Sequence, residues 1–283
     1  MRLSDMVMYA TVLIRCQRKD GTFGTGTGFI MNLCKDNRAN NSVPVIITNK
    51  HVTNGSVKCR FDLCQADKMG KPIDSGGFVL AVENAPWIHH PDSDVDLCCL
   101  PVAGYFNRLS AEEGIDVFYT PLETSVIPSE EMVAGLSTIE DVIMIGYPIG
   151  LSDTKNHKPV ARKGITATHV KLDYEGKKQF LIDCACFPGS SGSPIFILNE
   201  GSYMRDNGLY FGSRIILLGV LFAGPQFTAT GTITYANIPV APSSRINIPM
   251  NLGLAIKSSE ILVLENYIEE KIAKLEQGDI HDE

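Results

Sequence analysis

Ser191 is the residue of this chain best placed by its neighbours to act as a nucleophile. It lies in Cys186-Phe187-Pro188-Gly189-Ser190-Ser191-Gly192-Ser193-Pro194, a Gly-x-Ser-Gly-x-Pro turn between two apolar segments. Glycines on either side let the backbone take conformations closed to other residues, so the hydroxyl is presented at the tip and backbone N–H groups come close to a bound molecule. The N–H groups of Gly189 and Ser191 are the pair expected to form an oxyanion hole. A serine hydroxyl is too weak an acid to attack unaided and needs a base, which imidazole supplies near neutral pH. His51 ends the β-branched run Val45-Ile46-Ile47-Thr48-Asn49-Lys50-His51-Val52, and Asp96 directly precedes the apolar run Leu97-Cys98-Cys99-Leu100. Asp96 is expected to hold His51 in the useful tautomer, with Asp92 and Asp94 as rivals for that role. Along the chain, 45 residues separate His51 from Asp96 and 95 separate Asp96 from Ser191.

The elements that must carry these residues read as strands. The segments Val7–Cys16, Thr25–Leu33, Val43–Thr48, Ser56–Leu63, Gly77–Val82 and Asp96–Pro101 are short, rich in β-branched residues and bounded by Gly, Pro, Asn or Asp. So are Val142–Ile145, Ile165–Leu172, Phe180–Cys184, Ser193–Leu198, Ile215–Phe222, Thr232–Tyr235 and Leu252–Ile256. Many short strands without interleaved helices indicate an all-β barrel or sandwich. Residues 117–135, with Pro121, Pro128 and Glu130-Glu131, show no strand pattern. After Lys257 the pattern changes: Ser258-Ser259-Glu260 reads as a helix start, and Ile261, Leu264, Ile268, Ile272 and Leu275 recur at helical spacing until Gly278. That face is expected to pack on the second barrel; its alternative use is to bind a regulatory partner.

The order His, Asp, Ser at these distances resembles the chymotrypsin-like (trypsin-fold) serine peptidases, and is closest to the HtrA-type bacterial branch. Further segments carry the likeness: Gly24-Thr25-Gly26-Thr27-Gly28-Phe29-Ile30, Ile145-Gly146-Tyr147-Pro148-Ile149-Gly150, Lys163-Gly164-Ile165-Thr166-Ala167, Asp183 through Pro194, and Leu252-Gly253-Leu254-Ala255-Ile256-Lys257. The resemblance implies two six-stranded antiparallel β-barrels with the active site between them. On that frame residues 1–116 form the barrel carrying His51 and Asp96, 117–135 the linker, 136–257 the barrel carrying Ser191, and 258–283 a C-terminal helix and tail. It also implies a serine endopeptidase acting through an acyl-enzyme, with Ala185, Cys186, Leu221, Phe222, Ala223 and Gly224 around the side chain before the cut. These residues are small or apolar, so small or medium apolar residues are the expected preference and an unpaired Lys or Arg is disfavoured. Asp183 reads as structural, and His169 as an unfavoured alternative reader of acidic side chains. Ser190 stands where the digestive branch has an aspartate, which argues against activation by N-terminal cleavage. No PDZ-like segment follows the barrel in these residues. The competing reading from another class is a catalytically inactive trypsin-fold binding module.

Composition narrows the remaining classes. The 283 residues are 44% hydrophobic, enough for a large core. The net charge of −7 and scattered lysines and arginines give no reason to expect nucleic acid as a partner; the resemblance implies a protein or peptide substrate. No apolar run reaches membrane-spanning length, and the first residues do not read as a signal peptide. The eight cysteines are therefore expected to be reduced thiols in a cytoplasmic protein, without a complete zinc set; no metal or cofactor is expected. His89-His90 reads as a solvated loop pair.

Overall fold

The computed structural model describes residues 1–36, 41–153, 155–205, 208–232 and 243–276. Its N-terminal half is a nine-stranded sheet. The strands are β1 (Thr11–Arg18), β2 (Phe23–Asp36), β3 (Asn41–Thr48), β4 (Ser56–Ala66), β5 (Pro72–Glu83), β6 (Ile88–His89), β7 (Cys98–Pro101), β8 (Val117–Phe118) and β9 (Leu122–Glu123). The path runs β5-β4-β1-β2-β3-β7-β6, with β8 added to β4 and β9 parallel to β2. In the C-terminal half β10 (Asp141–Gly146), β11 (Val160–Thr166), β12 (Gln179–Asp183), β13 (Pro194–Asn199), β16 (Arg214–Ala223) and β19 (Leu252–Lys257) close into a barrel, in the order β10-β11-β12-β19-β16-β13. Two hairpins stand outside it: β14 (Ser202–Arg205) with β15 (Gly208–Phe211), and β17 (Gln226–Thr232) with β18 (Ser243–Pro249).

Period-two alternation divides the apolar residues among three cores. On β2, β3 and β7, Ile30, Ile46 and Leu100 face Phe61 inside the N-terminal half. Their neighbours Phe29, Met31, Val45, Ile47 and Cys99 face the other way, into a seam. In the barrel, Ile195, Ile197, Ile216 and Leu218 fill the interior, while Phe196 and Leu217 turn outward into the same seam. The helix α5 (Ser259–Glu276) completes this middle layer with Ile261, Leu264 and Ile268, all buried. It does not pack on the C-terminal barrel alone. Glu265 Oε1 accepts the N–H of Cys34 on β2 at 2.7 Å, so the helix lies across both halves. The stripe outruns this contact, since Ile272 is exposed. Gly278 and the tail beyond it lie outside the described residues.

Other expectations also differ from the structure. Residues Leu3–Ala10 form a helix, α1, rather than the start of a strand; Val7 and Ala10, three apart, are its buried face. The segment 117–135 holds the short strands β8 and β9 and a one-turn helix, α4 (Glu130–Ala134), capped by Ser129. A further helix, α3 (Ala103–Glu113), buries Phe106 and Leu109 and ends at Gly114 in the left-handed conformation. The strand expected at Ile165–Leu172 lies earlier, as β11, and that expected at Thr232–Tyr235 falls almost wholly outside the described residues. No helix among the described residues is long and apolar enough to cross a membrane.

All eight cysteines are free thiols. Cys16 on β1 and Cys59 on β4 are directly opposed, their sulfurs 3.1 Å apart, one thiol donating to the other. Cys98 and Cys99 face opposite sides of β7, and burial pushes the Cys98 thiol up to about 12. Such thiols behave as small hydrophobes. The protein is expected to keep its fold and activity in excess reductant. Alkylation after denaturation should count eight thiols; unfolding under reductant would contradict this state of the cysteines.

Candidate active site

The glycine-rich strand β2 sets the histidine. A Cβ on Gly26 would come within 2.5 Å of Val52 Cγ1, so glycine there lets the next element pack flat on the strand. That element is not a continuation of β3. The strand stops at Thr48, whose hydroxyl bonds Thr27 O at 2.7 Å, and His51 follows on a one-turn helix, α2 (Lys50–Thr53). The imidazole is half-exposed, and its Nδ1 lies 2.5 Å from Asp96 Oδ2. Asp96 Oδ1 accepts the backbone N–H of His51 at 3.0 Å, and its own carbonyl takes the amide of Asn49 at 2.8 Å. The aspartate is thus fixed to both the ring and the backbone of His51. The rivals are placed otherwise: Asp92 and Asp94 are exposed, and Asp92 Oδ1 accepts the Asp94 N–H within their own turn. Lys50 ties that turn to α2 through Asp92 O at 2.8 Å.

Ser191 comes from the C-terminal half, on the turn that leads into β13. Gly189 and Gly192 have φ of 86° and 87°, a region that disfavours side chains. Space excludes them as well: a Cβ on Gly189 would lie 2.7 Å from Tyr147 O, and one on Gly192 would lie 1.8 Å from Thr27 O. Along this turn the N–H groups alternate. Those of Ser190, Gly192 and Ser193 donate to Phe187 O, Leu221 O and Ser190 O. Those of Gly189 and Ser191 have no acceptor among the described residues, which is the arrangement an anionic oxygen requires. Ser191 Oγ makes one hydrogen bond, to Phe222 O at 3.5 Å, rather than one to His51.

Thr27, fully buried on β2, joins the two halves here. Its N–H donates to Ser191 O at 2.8 Å and its hydroxyl to Gly189 O at 3.0 Å, while the hydroxyl oxygen accepts the N–H of Tyr147 at 3.0 Å. One residue of the first half therefore holds both residues with free N–H groups in the second, Ser191 through its backbone N–H and Gly189 through its hydroxyl. Thr27 lies in the glycine-rich segment singled out from the sequence, but its own role was not legible there.

Of the residues expected around the substrate side chain, Cys186, Leu221 and Gly224 are brought together. Cys186 and Leu221 are buried in the barrel core, and the Cys186 sulfur and Leu221 Cδ1 each lie 2.6 Å from where a Gly253 Cβ would stand. Gly224 faces Cys186 in the same way, at 3.7 Å. Phe222 and Ala223 are half-buried on β16, and Ala185 is half-buried before Cys186. Asp183 is exposed at the end of β12, and the His169 ring accepts the Lys171 N–H within its own loop. Arg162 on β11 was not anticipated. Its guanidinium donates to Ser190 Oγ at 2.9 Å and to Ala185 O, with Nε buried and unpartnered. Burial holds it below the usual arginine range. The pair His89-His90 is split: His89 is exposed, but His90 is buried, with Nε2 3.5 Å from Glu260 Oε2 at the start of α5. Among the described residues no group of three or more His, Cys, Asp and Glu is placed to hold a metal ion.

The sequence model of the trypsin-like peptidase domain matches residues 26–203, which is more than half of the chain. The chain belongs to this family, and at that level it is a serine peptidase, a hydrolase. Among solved structures it is similar to an HtrA-type protease, AlgW, with a tripeptide, at 17% identity and a TM-score of 0.46; the match covers 98% of this chain and 63% of that one. It is also similar to the Rv3671c protease from M. tuberculosis in its active form, at 17% identity and a TM-score of 0.47, covering 92% and 80%. No curated protein matches the sequence.

Proposed function

We propose that the chain is a serine endopeptidase that cuts through a Ser191–His51–Asp96 triad. The observation that carries this reading is the Asp96 carboxylate, bound at once to Nδ1 and to the backbone N–H of His51. With Nδ1 occupied, Nε2 is left as the lone-pair nitrogen. It takes the proton of Ser191 as the hydroxyl adds to the scissile carbonyl. The carbonyl oxygen becomes an oxyanion between the N–H groups of Gly189 and Ser191. His51 then protonates the leaving amine, and an acyl-enzyme on Ser191 remains. Water, deprotonated by the same imidazole, hydrolyses it. For the reaction the Ser191 hydroxyl must donate to the imidazole instead of to Phe222 O.

The test is covalent labelling with a fluorophosphonate probe. The wild type should label at Ser191, and Ser191→Ala and His51→Ala should not. An unlabelled wild type that still binds peptides would instead support the inactive binding module.

The apolar walls around Cys186, Leu221 and Gly224 support cleavage after Ala, Val, Leu or Met. A methylene more or less in such a pocket changes binding by ~1–3 kcal/mol, so preference among these residues should be broad. Exclusion of Lys and Arg should be sharper, because Arg162 lies beside Ala185 and Cys186, and Asp183, the carboxylate of this region, is exposed at the end of β12. A peptide-library profile dominated by Lys or Arg would reject this pocket and turn attention to Asp183. The eight free thiols support a reducing, cytoplasmic setting.

A further inference from the structure

Arg162 is a half-buried cation that the proposed chemistry leaves unused. Among the described residues no carboxylate forms an ion pair with it, and its hydrogen-bond partners are Ala185 O and Ser190 Oγ. A buried guanidinium without a counter-charge is costly to keep. What it holds are two points of one short segment: the carbonyl of Ala185 and the side chain of Ser190. Ser190 is fully buried and immediately precedes Ser191, and its hydroxyl is turned into the protein.

That segment needs external support. It contains two glycines in left-handed conformation, and free N–H groups bracket Ser190 on either side in the chain. Thr27 grips it from the first half through the carbonyls of Gly189 and Ser191. The backbone of Ser190 is held on both sides, its N–H by Phe187 O and its carbonyl by the Ser193 N–H. Its side chain, between them, is held by Arg162. Only a planar fork with several donors reaches Ala185 O and Ser190 Oγ together, which a lysine ammonium on its flexible stem does not do.

We propose that Arg162 is a positioning residue, which locks Ser190 from within the second barrel and so keeps the N–H groups of Gly189 and Ser191 aimed at one point. This rests on the reading that those groups receive the oxyanion. The turn is then held ready by a side chain already in the chain, and no cleavage at the N-terminus is needed to form it.

The experiment compares Arg162→Gln, Arg162→Lys and Arg162→Ala with the wild type, each first checked by circular dichroism and thermal melting. The substrate is the best peptide from the library profile. Removal of an oxyanion donor lowers kcat by ~10²–10³-fold, and loosening both donors through Arg162→Gln should lower it by about 10- to 100-fold with KM nearly unchanged. Affinity for a peptide boronate, which mimics the tetrahedral state, should fall in parallel. Arg162→Lys should retain more activity than Arg162→Gln. Added guanidinium should restore part of kcat in Arg162→Ala but none in Ser191→Ala, which a general loss of folding would not produce. An unchanged kcat in folded Arg162→Gln overturns the proposal. So does a rise in KM alone, or a wild-type preference for Glu or Asp before the cut that disappears in Arg162→Gln, since Arg162 would then be a reader of substrate. A wild type that neither labels nor cleaves overturns the proposed triad chemistry and this inference with it. An active wild type with equally active Arg162 variants overturns this inference alone.

Discussion

Ser191→Ala is expected to lower kcat for peptide hydrolysis by about six orders of magnitude, and His51→Ala by a comparable factor. The two should not add. Without the nucleophile the base has nothing to deprotonate, and without the base the hydroxyl stays protonated, so the double variant should be about as slow as either single one. What survives is the contribution of the oxyanion hole and of substrate binding. Neither change should disturb the fold: the Ser191 hydroxyl makes a single 3.5 Å hydrogen bond to Phe222 O, and the His51 side chain is half-exposed. Single-turnover kinetics with thermal melts of the same samples would check both points. Wild-type cleavage by Ser191→Ala would remove the serine from the mechanism.

Asp96→Asn is expected to cost about 10⁴-fold in kcat while leaving the side chain in place. The geometry says how. One oxygen of Asp96 accepts the backbone N–H of His51 and the other faces Nδ1. An asparagine keeps the first bond with its carbonyl oxygen, and so must present its NH₂ to Nδ1. Nδ1 becomes the acceptor, the ring proton moves to Nε2, and the nitrogen facing the serine can no longer take a proton. Asp94→Asn should stay within about twofold of wild type, since its carboxylate is exposed and surface changes of this kind are small. The reverse order of effects would move the role to Asp94.

The proposed triad residues were singled out because each borders an apolar run, and the structure pairs two of them, His51 and Asp96. The glycines were legible for the same local reason, although what fills the space around them was not: Val52 over Gly26 and Thr27 O over Gly192 are contacts between distant segments. Arg162 was hidden because the expected strand began only at Ile165, and the pair Arg162-Lys163 ahead of it looks solvent-facing. Only barrel closure shows that its side of β11 faces Ser190. His90 misled for the opposite reason: a pair of histidines in a loop reads as solvated, and α5, more than 160 residues later, is what covers it. The helix α1 was missed because Val7 and Ala10 continue, in the sequence, the apolar run of β1.

The threonine bridge between the halves has a consequence for motion. The Thr27 amide is buried and donates to the carbonyl of Ser191, the proposed nucleophile, so its hydrogen exchanges when the first half lifts away from the turn. Any hinge between the two halves therefore runs through the proposed site, and opening it frees the Gly189–Ser191 turn from Thr27 in the same step. Deuterium uptake at that one amide would time how often the two halves part.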